Sequence, residues 1–444
     1  MEWAWPWLAA IGEAMLKMIV QPFYYIGIIL VALMYQRQLL QERKLFHVRL
    51  QSSMIQTIRS VLGGFMIGII VSLLSLFIGS HFTWGSLVWL WGAALFLALF
   101  RVRYLCIAYA AGLLGVLQFG LNLAPGWQPS GWLGSAMDTL RALDMPALLV
   151  LAALLHLGEA MLVRMQGVAL SSPLLFEGKR GKLVGGYQLH HLWPIPLLIL
   201  VPVGGSGAEL AWSPLLHGGG AYALMALPVL IGFSEVTQSM LPEQKARLSS
   251  KRLMYYGAGL LVLAVLAAWW SPLVLVAALA AFAGHEFLVW YSGYEENMSS
   301  PAFVHPEHGL KVLGVIPDSP AEELGIEVGE TVYKANGVLV HSPEELHRSL
   351  RMNPAFCKLE VRNRQGESKF LQRAIYEGEH HQLGVIFAPN NEETWAIRMR
   401  PANLVHLASL KLFARRKDLR EARAPLALEA PPAVPAGEQK SAEM

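Results

Sequence analysis

Apolar runs of membrane length alternate with short polar connections through residue 291, and the pattern then changes to that of a small α/β unit. A crossing helix needs roughly 20 mostly apolar residues, because the hydrocarbon layer is about 30 Å thick and a helix rises 1.5 Å per residue. Runs of this kind cover residues 22–35, 61–79, 83–100, 104–122, 145–163, 218–233, 253–270 and 272–291. A further stretch, residues 192–203 (LWPIPLLILVPV), is short and holds three prolines, so it reads as a kinked span or a re-entrant piece. The pattern therefore predicts a membrane all-α helical bundle of eight or nine spans over residues 22–291. Residues 1–21 read as an interfacial segment. Trp3, Trp5 and Trp7 suit a membrane interface, whereas Glu13 and Lys17 make a full crossing costly.

Composition agrees. Of 444 residues, 54% are hydrophobic and only 15% charged, against about 25% charged in ordinary soluble chains. Residues 61–100 hold no Asp, Glu, Lys or Arg. This excludes a string of soluble domains. The net charge of +3 matters less than its placement. Arg37, Arg43, Lys44, Arg49 and Arg59 fill one connection, Arg101 and Arg103 another. Arg164, Lys179, Arg180 and Lys182 form a third, and Lys245, Arg247, Lys251 and Arg252 a fourth. Between them, residues 80–82 and 204–217 carry no Lys or Arg and residues 123–144 only Arg141. If residues 192–203 cross, basic and neutral connections alternate without a break. The positive-inside rule then puts the N-terminus outside and everything after Tyr291 in the cytoplasm. Cys106 and Cys357 fall in different phases, so no structural disulfide is expected, and no cleavable signal is visible.

Residues 299–391 have the punctuation of a small α/β domain. Leu310 to Ile316 alternates as a strand. Ser319-Pro320 opens a short helix closed by Gly325. Thr331 to Ala335 is a strand ended by the hairpin signal Asn336-Gly337. Ser342-Pro343-Glu344-Glu345 caps a second helix. Residues 358–362 and 369–375 pair around Gln365-Gly366, and residues 381–387 supply a last strand. The series V-x-P-x-S-P-A, G-I, G-E and N-G, with its fixed offsets, resembles the circularly permuted PDZ domains of bacterial membrane-linked proteins. Such domains accept an extended peptide at a sheet edge and take its terminal carboxylate in a backbone nest. The matching loop here is Gln382-Leu383-Gly384-Val385, followed by Ile386, with Leu346 and Leu350 as the apolar wall for the ligand's last side chain. An alternative puts the loop at His308-Gly309-Leu310. A blander reading makes Leu346, Leu350 and Leu383 plain core.

Enzyme signals are thin. His285-Glu286 begins like the His-Glu-x-x-His zinc helix of site-2 proteases, but the second histidine position is Val289. His156 and Glu159 put an imidazole and a carboxylate on one helical face, a functional candidate inside a membrane. Placed toward the cytoplasmic ends of their helices, both pairs read as interfacial caps or interhelix hydrogen bonds. Gly204-Gly205-Ser206-Gly207 reads as a flexible loop, and no glycine loop suited to phosphate precedes a helix. The expectation is no catalysis, no cofactor, no metal and no nucleic acid.

Residues 392–423 predict a basic amphipathic tail helix against anionic lipid. Residues 424–444, dominated by Pro and Ala, predict disorder. Pro22-Phe23-Tyr24-Tyr25 and the stretch from Gln41 to Arg49 (QERKLFHVR), with the order of parts, resemble the MinJ family of polytopic PDZ proteins of Gram-positive rods. That resemblance implies a division-site topology factor at poles and septa. It would link a DivIVA-like coiled-coil protein to the MinC–MinD inhibitor, with a MinD-like protein and membrane lipids among its contacts. The other classes are an accessory of membrane proteolysis that reads exposed C-termini, and a transporter regulated by its PDZ domain.

Overall fold

The computed structural model describes residues 4–178, 182–203, 208–209, 214–216, 220–353, 355–374 and 383–390. The expected tail helix at 392–423, the segment beyond it, residues 204–207 and Gln382 lie outside them.

Seven helices come first: α1 (Ala4–Val20), α2 (Pro22–Phe46), α3 (Ser53–Ile78), α4 (Trp84–Ala98), α5 (Ile107–Asn122), α6 (Trp132–Arg141) and α7 (Met145–Gln166). Their ends follow local chemistry. Thr83 caps α4 by accepting from the Ser86 amide, Asp144 caps α7 through the Ala147 amide, and α3 stops at Gly79 in a left-handed conformation. Four strands follow: β1 (Ser172–Glu177), β2 (Leu183–Pro202), β3 (Ala208–Glu209) and β4 (Ala221–Thr237), in the order β1-β2-β4-β3. Then come α8 (Pro242–Trp269), α9 (Leu273–Leu279), a π-helical turn at Ala280–Gly284 and α10 (His285–Met298).

Among the described residues, five helical segments are long and apolar enough to cross a membrane: α2, α3, α7, α8 and the continuous rod Leu273–Met298. The apolar helices α4 and α5 are shorter. Eight or nine helical spans are therefore not found, and two of the expected ones are not helices. Residues 192–202 lie in β2 and residues 221–233 in β4, which pair antiparallel from Tyr187↔Thr237 to Pro202↔Tyr222.

Where the long ribbon of β2 and β4 packs against α3, its edge groups need partners within the protein, since in hydrocarbon each orphaned backbone group would cost several kcal/mol. The backbone N–H and C=O groups of the even-numbered β2 residues face away from β4, and three of these residues, Pro194, Pro196 and Pro202, have no N–H to satisfy. The Leu198 amide donates to Ser72 Oγ at 2.8 Å, the Leu192 carbonyl accepts from Ser60 Oγ at 3.0 Å, and the Leu200 carbonyl accepts from the Phe82 amide at 2.9 Å. The Pro194 and Pro196 carbonyls lie against Gly64 and Gly68, where a Cβ would stand 2.2 and 2.5 Å away. Ser60, Gly64, Gly68 and Ser72 recur every four residues along α3. Four helical residues rise about 6.0 Å and two strand residues about 6.6 Å, so helix and strand stay in step. On the far edge, Pro228 again lacks an N–H, and Gln21 Nε2 donates to the Ala226 carbonyl at 3.1 Å.

The C-terminal module contains β5 (Leu310–Val315), α11 (Pro320–Glu323), β6 (Thr331–Ala335), β7 (Val338–Leu339), α12 (Pro343–Arg351), β8 (Phe356–Arg362), β9 (Ser368–Ala374) and β10 (Val385–Phe387). Its sheet runs β10-β5-β6-β8-β9, with β7 on β6. Ser319 and Ser342 cap α11 and α12 as expected. Asn336 and Gly337 both take positive φ, 49° and 87°, the pairing a tight hairpin requires. Asn336 does more than turn: Nδ2 donates to the Ser349 carbonyl at 2.9 Å, and Oδ1 accepts from the Lys358 amide at 3.0 Å. Asn336→Ala should cost about 1–2 kcal/mol, read as roughly tenfold faster amide exchange in α12 and β8. Unchanged exchange would mean that this side chain does not tie helix to sheet.

The module does not hang from a free linker. After Ser299–Pro301, the Ala302 amide donates to the Gln238 carbonyl at 2.7 Å, and the Gly185 amide donates to the Phe303 carbonyl at 2.9 Å. Phe303 is fully buried, and Tyr187 donates its hydroxyl to the Leu313 carbonyl. The base of the ribbon is thus the seat of the module. Beside it Lys245 Nζ, fully buried, lies 3.3 Å from Glu235, 3.2 Å from Glu296 and 2.8 Å from Ser292 Oγ.

Candidate functional site

β10 is an edge strand. Its even-numbered backbone groups face β5: the Ile316 amide donates to the Gly384 carbonyl at 2.8 Å, and the Ala388 amide to the Lys311 carbonyl at 2.8 Å. Val385 and Phe387 therefore turn their backbone groups the other way, toward α12. A cleft of about 300 Å³ opens there, lined by Leu346 and His347 of α12, by Leu383, Gly384, Val385 and Ile386, and by Leu310. Its outer lip is Leu45, Phe46, His47 and Val48, where α2 ends. Arg43 and Lys44, in the last turn of α2, precede that lip directly.

The residues expected to form the groove mostly meet here, with qualifications that come from packing. Leu350 is not at the cleft; with Leu346 and Leu383 it belongs to the module's hydrophobic core. Gly384 has φ +86°, and a Cβ on it would stand 2.3 Å from the Ser319 Cβ. Its smallness serves the contact with α11, and the Leu383 carbonyl accepts from the Ala321 amide at 2.9 Å in the same place. Of the alternative placement, Leu310 touches the cleft, Gly309 turns with φ +89°, and the ring of His308 lies 5.6 Å from that of His341. Sequence reading missed the lip at 45–48 and His347. The QERKLFHVR stretch was the available signal, since it is polar enough to leave the membrane beside the module.

The intramembrane pairs are arranged differently from expectation. α7 extends to Gln166, and the continuous rod that carries His285 runs from Leu273 to Met298, so both histidines stand midway along their segments instead of near the ends. The two pairs also converge. The His156 and His285 rings are 5.0 Å apart, and Cys106, just before α5, brings its Sγ to 3.3 Å from His156 Nε2. Glu159 Oε2 lies 3.9 Å from the same nitrogen. Glu286 turns to the rim, pairing with Arg103 and accepting from the Tyr109 hydroxyl at 2.8 Å. Three segments far apart in sequence thus share one polar point, and nothing in their separate spacings announced it.

The PDZ domain family matches residues 311–363. The "Cell division topological determinant MinJ" of Bacillus subtilis (strain 168) is 31% identical over 379 residues, 84% of this chain and 94% of that protein. A relative from Lacticaseibacillus paracasei, named "Probable cell division topological determinant MinJ", is 29% identical over 280 residues, 59% of this chain and 72% of its own length. A protein of Clostridium perfringens (strain 13 / Type A), by its provisional name a zinc metalloprotease, is 30% identical over 116 residues, 26% of this chain and 30% of that protein. That match is too short to carry an activity. No solved structure matches significantly.

Proposed function

Since the chain belongs to the MinJ family of cell division topological determinants, we propose that it is a membrane-anchored adaptor that positions division proteins by docking them at its PDZ cleft. It acts at the cytoplasmic membrane, at septa and poles. It links a DivIVA-like coiled-coil protein to the MinC–MinD inhibitor. The observation that carries this reading is the edge strand β10 facing α12 across an open cleft. An extended segment can add there as a further strand and leave one apolar side chain in the recess beside Leu346. The cytoplasmic side is supported by Arg43 and Lys44, which lie next to the cleft and follow the positive-inside rule. Binding and release suffice for this task, and no bond needs to be made or broken.

Gly384 is a poor place to test the groove, because its substitution strains the turn against Ser319. His347 lines the cleft from α12 and is only partly exposed, so His347→Trp fills the recess without cutting the core. A fluorescent fusion of the natural chain should concentrate at septa and poles, and His347→Trp should insert normally yet retain a MinD-like partner several-fold less. Uniform membrane fluorescence of the natural chain would overturn the adaptor reading. Undiminished retention by His347→Trp would remove the partner from this cleft.

A further inference from the structure

We propose that Cys106, His156 and His285 form a membrane-embedded site for a divalent transition-metal ion of the zinc class, with Glu159 as fourth ligand. The ion would bind three separate segments of the bundle together. This departs from the sequence-based expectation of no metal, and it is independent of the cleft on the PDZ module.

The donor atoms are already gathered. One from each of Cys106, His156 and His285 lies within 4.8 Å of the others. Around a tetrahedral zinc, with Zn–S about 2.3 Å and Zn–N about 2.0 Å, sulfur and nitrogen sit about 3.5 Å apart. Cys106 Sγ and His156 Nε2 are separated by 3.3 Å, so that edge needs almost no adjustment. His156 is oriented from behind: Nδ1 lies 2.7 Å from the Ala152 carbonyl. That contact places the proton on Nδ1 and leaves the Nε2 lone pair pointing into the cluster, the outer-shell arrangement of metal-bound histidines. His285 Nδ1 is buried without a hydrogen-bond partner, an otherwise costly arrangement that an ion would relieve.

The backbone is shaped around the same point. The π-helical turn Ala280–Gly284 ends at His285. Its extra residue rotates the following helix, and the Ala281 carbonyl is taken by the Tyr256 hydroxyl at 2.7 Å. Such turns concentrate at functional sites. Cys106 is the N-cap of α5, so the start of that helix holds its sulfur beside the two imidazoles. A Cys106 thiolate and a Glu159 carboxylate would together match the charge of one divalent ion, so the filled site is neutral in an apolar core. The partly exposed neighbour of the cluster is the Arg103–Glu286 pair, about one-third exposed, and Tyr109 stacks edge-on to His285 at 4.8 Å.

The test uses the full chain in nanodiscs, stripped with chelator and then titrated with Zn²⁺ or Co²⁺. Elemental analysis should give one zinc per chain. Co²⁺ should give visible bands of tetrahedral intensity together with a thiolate-to-cobalt charge-transfer band. Cys106→Ala should abolish the charge-transfer band. His156→Ala and His285→Ala should each weaken binding by at least the roughly 100-fold that outer-shell changes can cost. Cys357→Ser serves as the control and should change nothing, because Cys357 is buried in the module's own core, apart from the cluster. In that background, zinc should protect Cys106 from maleimide at least tenfold. A natural chain that takes up no metal above the Cys106→Ala/His285→Ala level overturns the proposal. So does a charge-transfer band that survives Cys106→Ala. If a variant fails to insert, the natural chain's cobalt spectrum and the maleimide protection decide alone.

Discussion

Replacing Gly64 with valine should unseat the ribbon of β2 and β4 from α3 and lower stability by about 3 kcal/mol or more. The new Cβ would stand 2.2 Å from the Pro194 carbonyl oxygen, which is backbone and cannot swing away. Overpacking alone costs about 1–3 kcal/mol. Separating the strand from α3 also breaks the Ser60–Leu192 and Ser72–Leu198 hydrogen bonds, whose groups have no water to turn to. The midpoint of thermal unfolding in detergent should fall by on the order of 10 °C, and Gly64→Val/Gly68→Val should fail to accumulate. Gly92→Val and Gly120→Val are the controls, because a Cβ at either position meets nothing within 4 Å. A Gly64→Val protein as stable as these controls would mean that α3 does not hold the strand edge.

Lys245→Met should be comparably damaging, for electrostatic reasons. Lys245 has no exposure, and it neutralises Glu235 from β4 and Glu296 from α10 at once. Glu296 in turn accepts from the Gln238 and Ser239 amides and from the Ser239 hydroxyl. Removing the cation leaves two carboxylates facing each other at the junction of ribbon, α8 and α10. Breaking a buried pair from one side costs about 3–5 kcal/mol. Adding Glu235→Gln and Glu296→Gln to Lys245→Met should restore more than half of the loss, because the residues act as one unit. A single variant that loses under about 1 kcal/mol in denaturant titration would assign the node to solvent-screened chemistry.

The two experiments mark where sequence reading stops. The module at Leu310–Phe387 was legible because its punctuation is local: Ser319-Pro320, Asn336-Gly337 and Ser342-Pro343 each determine their own turn. The ribbon was not, because a strand packed on both faces is as continuously apolar as a crossing helix. Only the parity of Pro194, Pro196, Pro202 and Pro228, and the four-residue beat of Ser60, Gly64, Gly68 and Ser72, distinguish it. Neither pattern means anything until strand and helix are set side by side. Lys245 misled differently. Counted as a loop cation that sets orientation, it is instead an interior residue, and charge counting cannot see burial. Of the residues expected at the groove, Leu346, Leu383, Gly384, Val385 and Ile386 line one cleft, whereas Leu350 packs in the core and Gly384 also sits tightly against Ser319. Cys106, His156 and His285 could not be joined at all, since only the tertiary arrangement of α5, α7 and α10 brings them together.

The match between α3 and the ribbon also bears on biogenesis. β2 and β4 would be costly to place in lipid by themselves, because an unaccompanied strand edge has no hydrogen-bond partners there. The helix that accepts this edge is synthesised more than a hundred residues earlier, so its serines and glycines already wait in the bilayer when the ribbon leaves the ribosome. Transplanting α3 to a position after the ribbon would keep every contact available in the finished protein, yet deny the nascent ribbon its template.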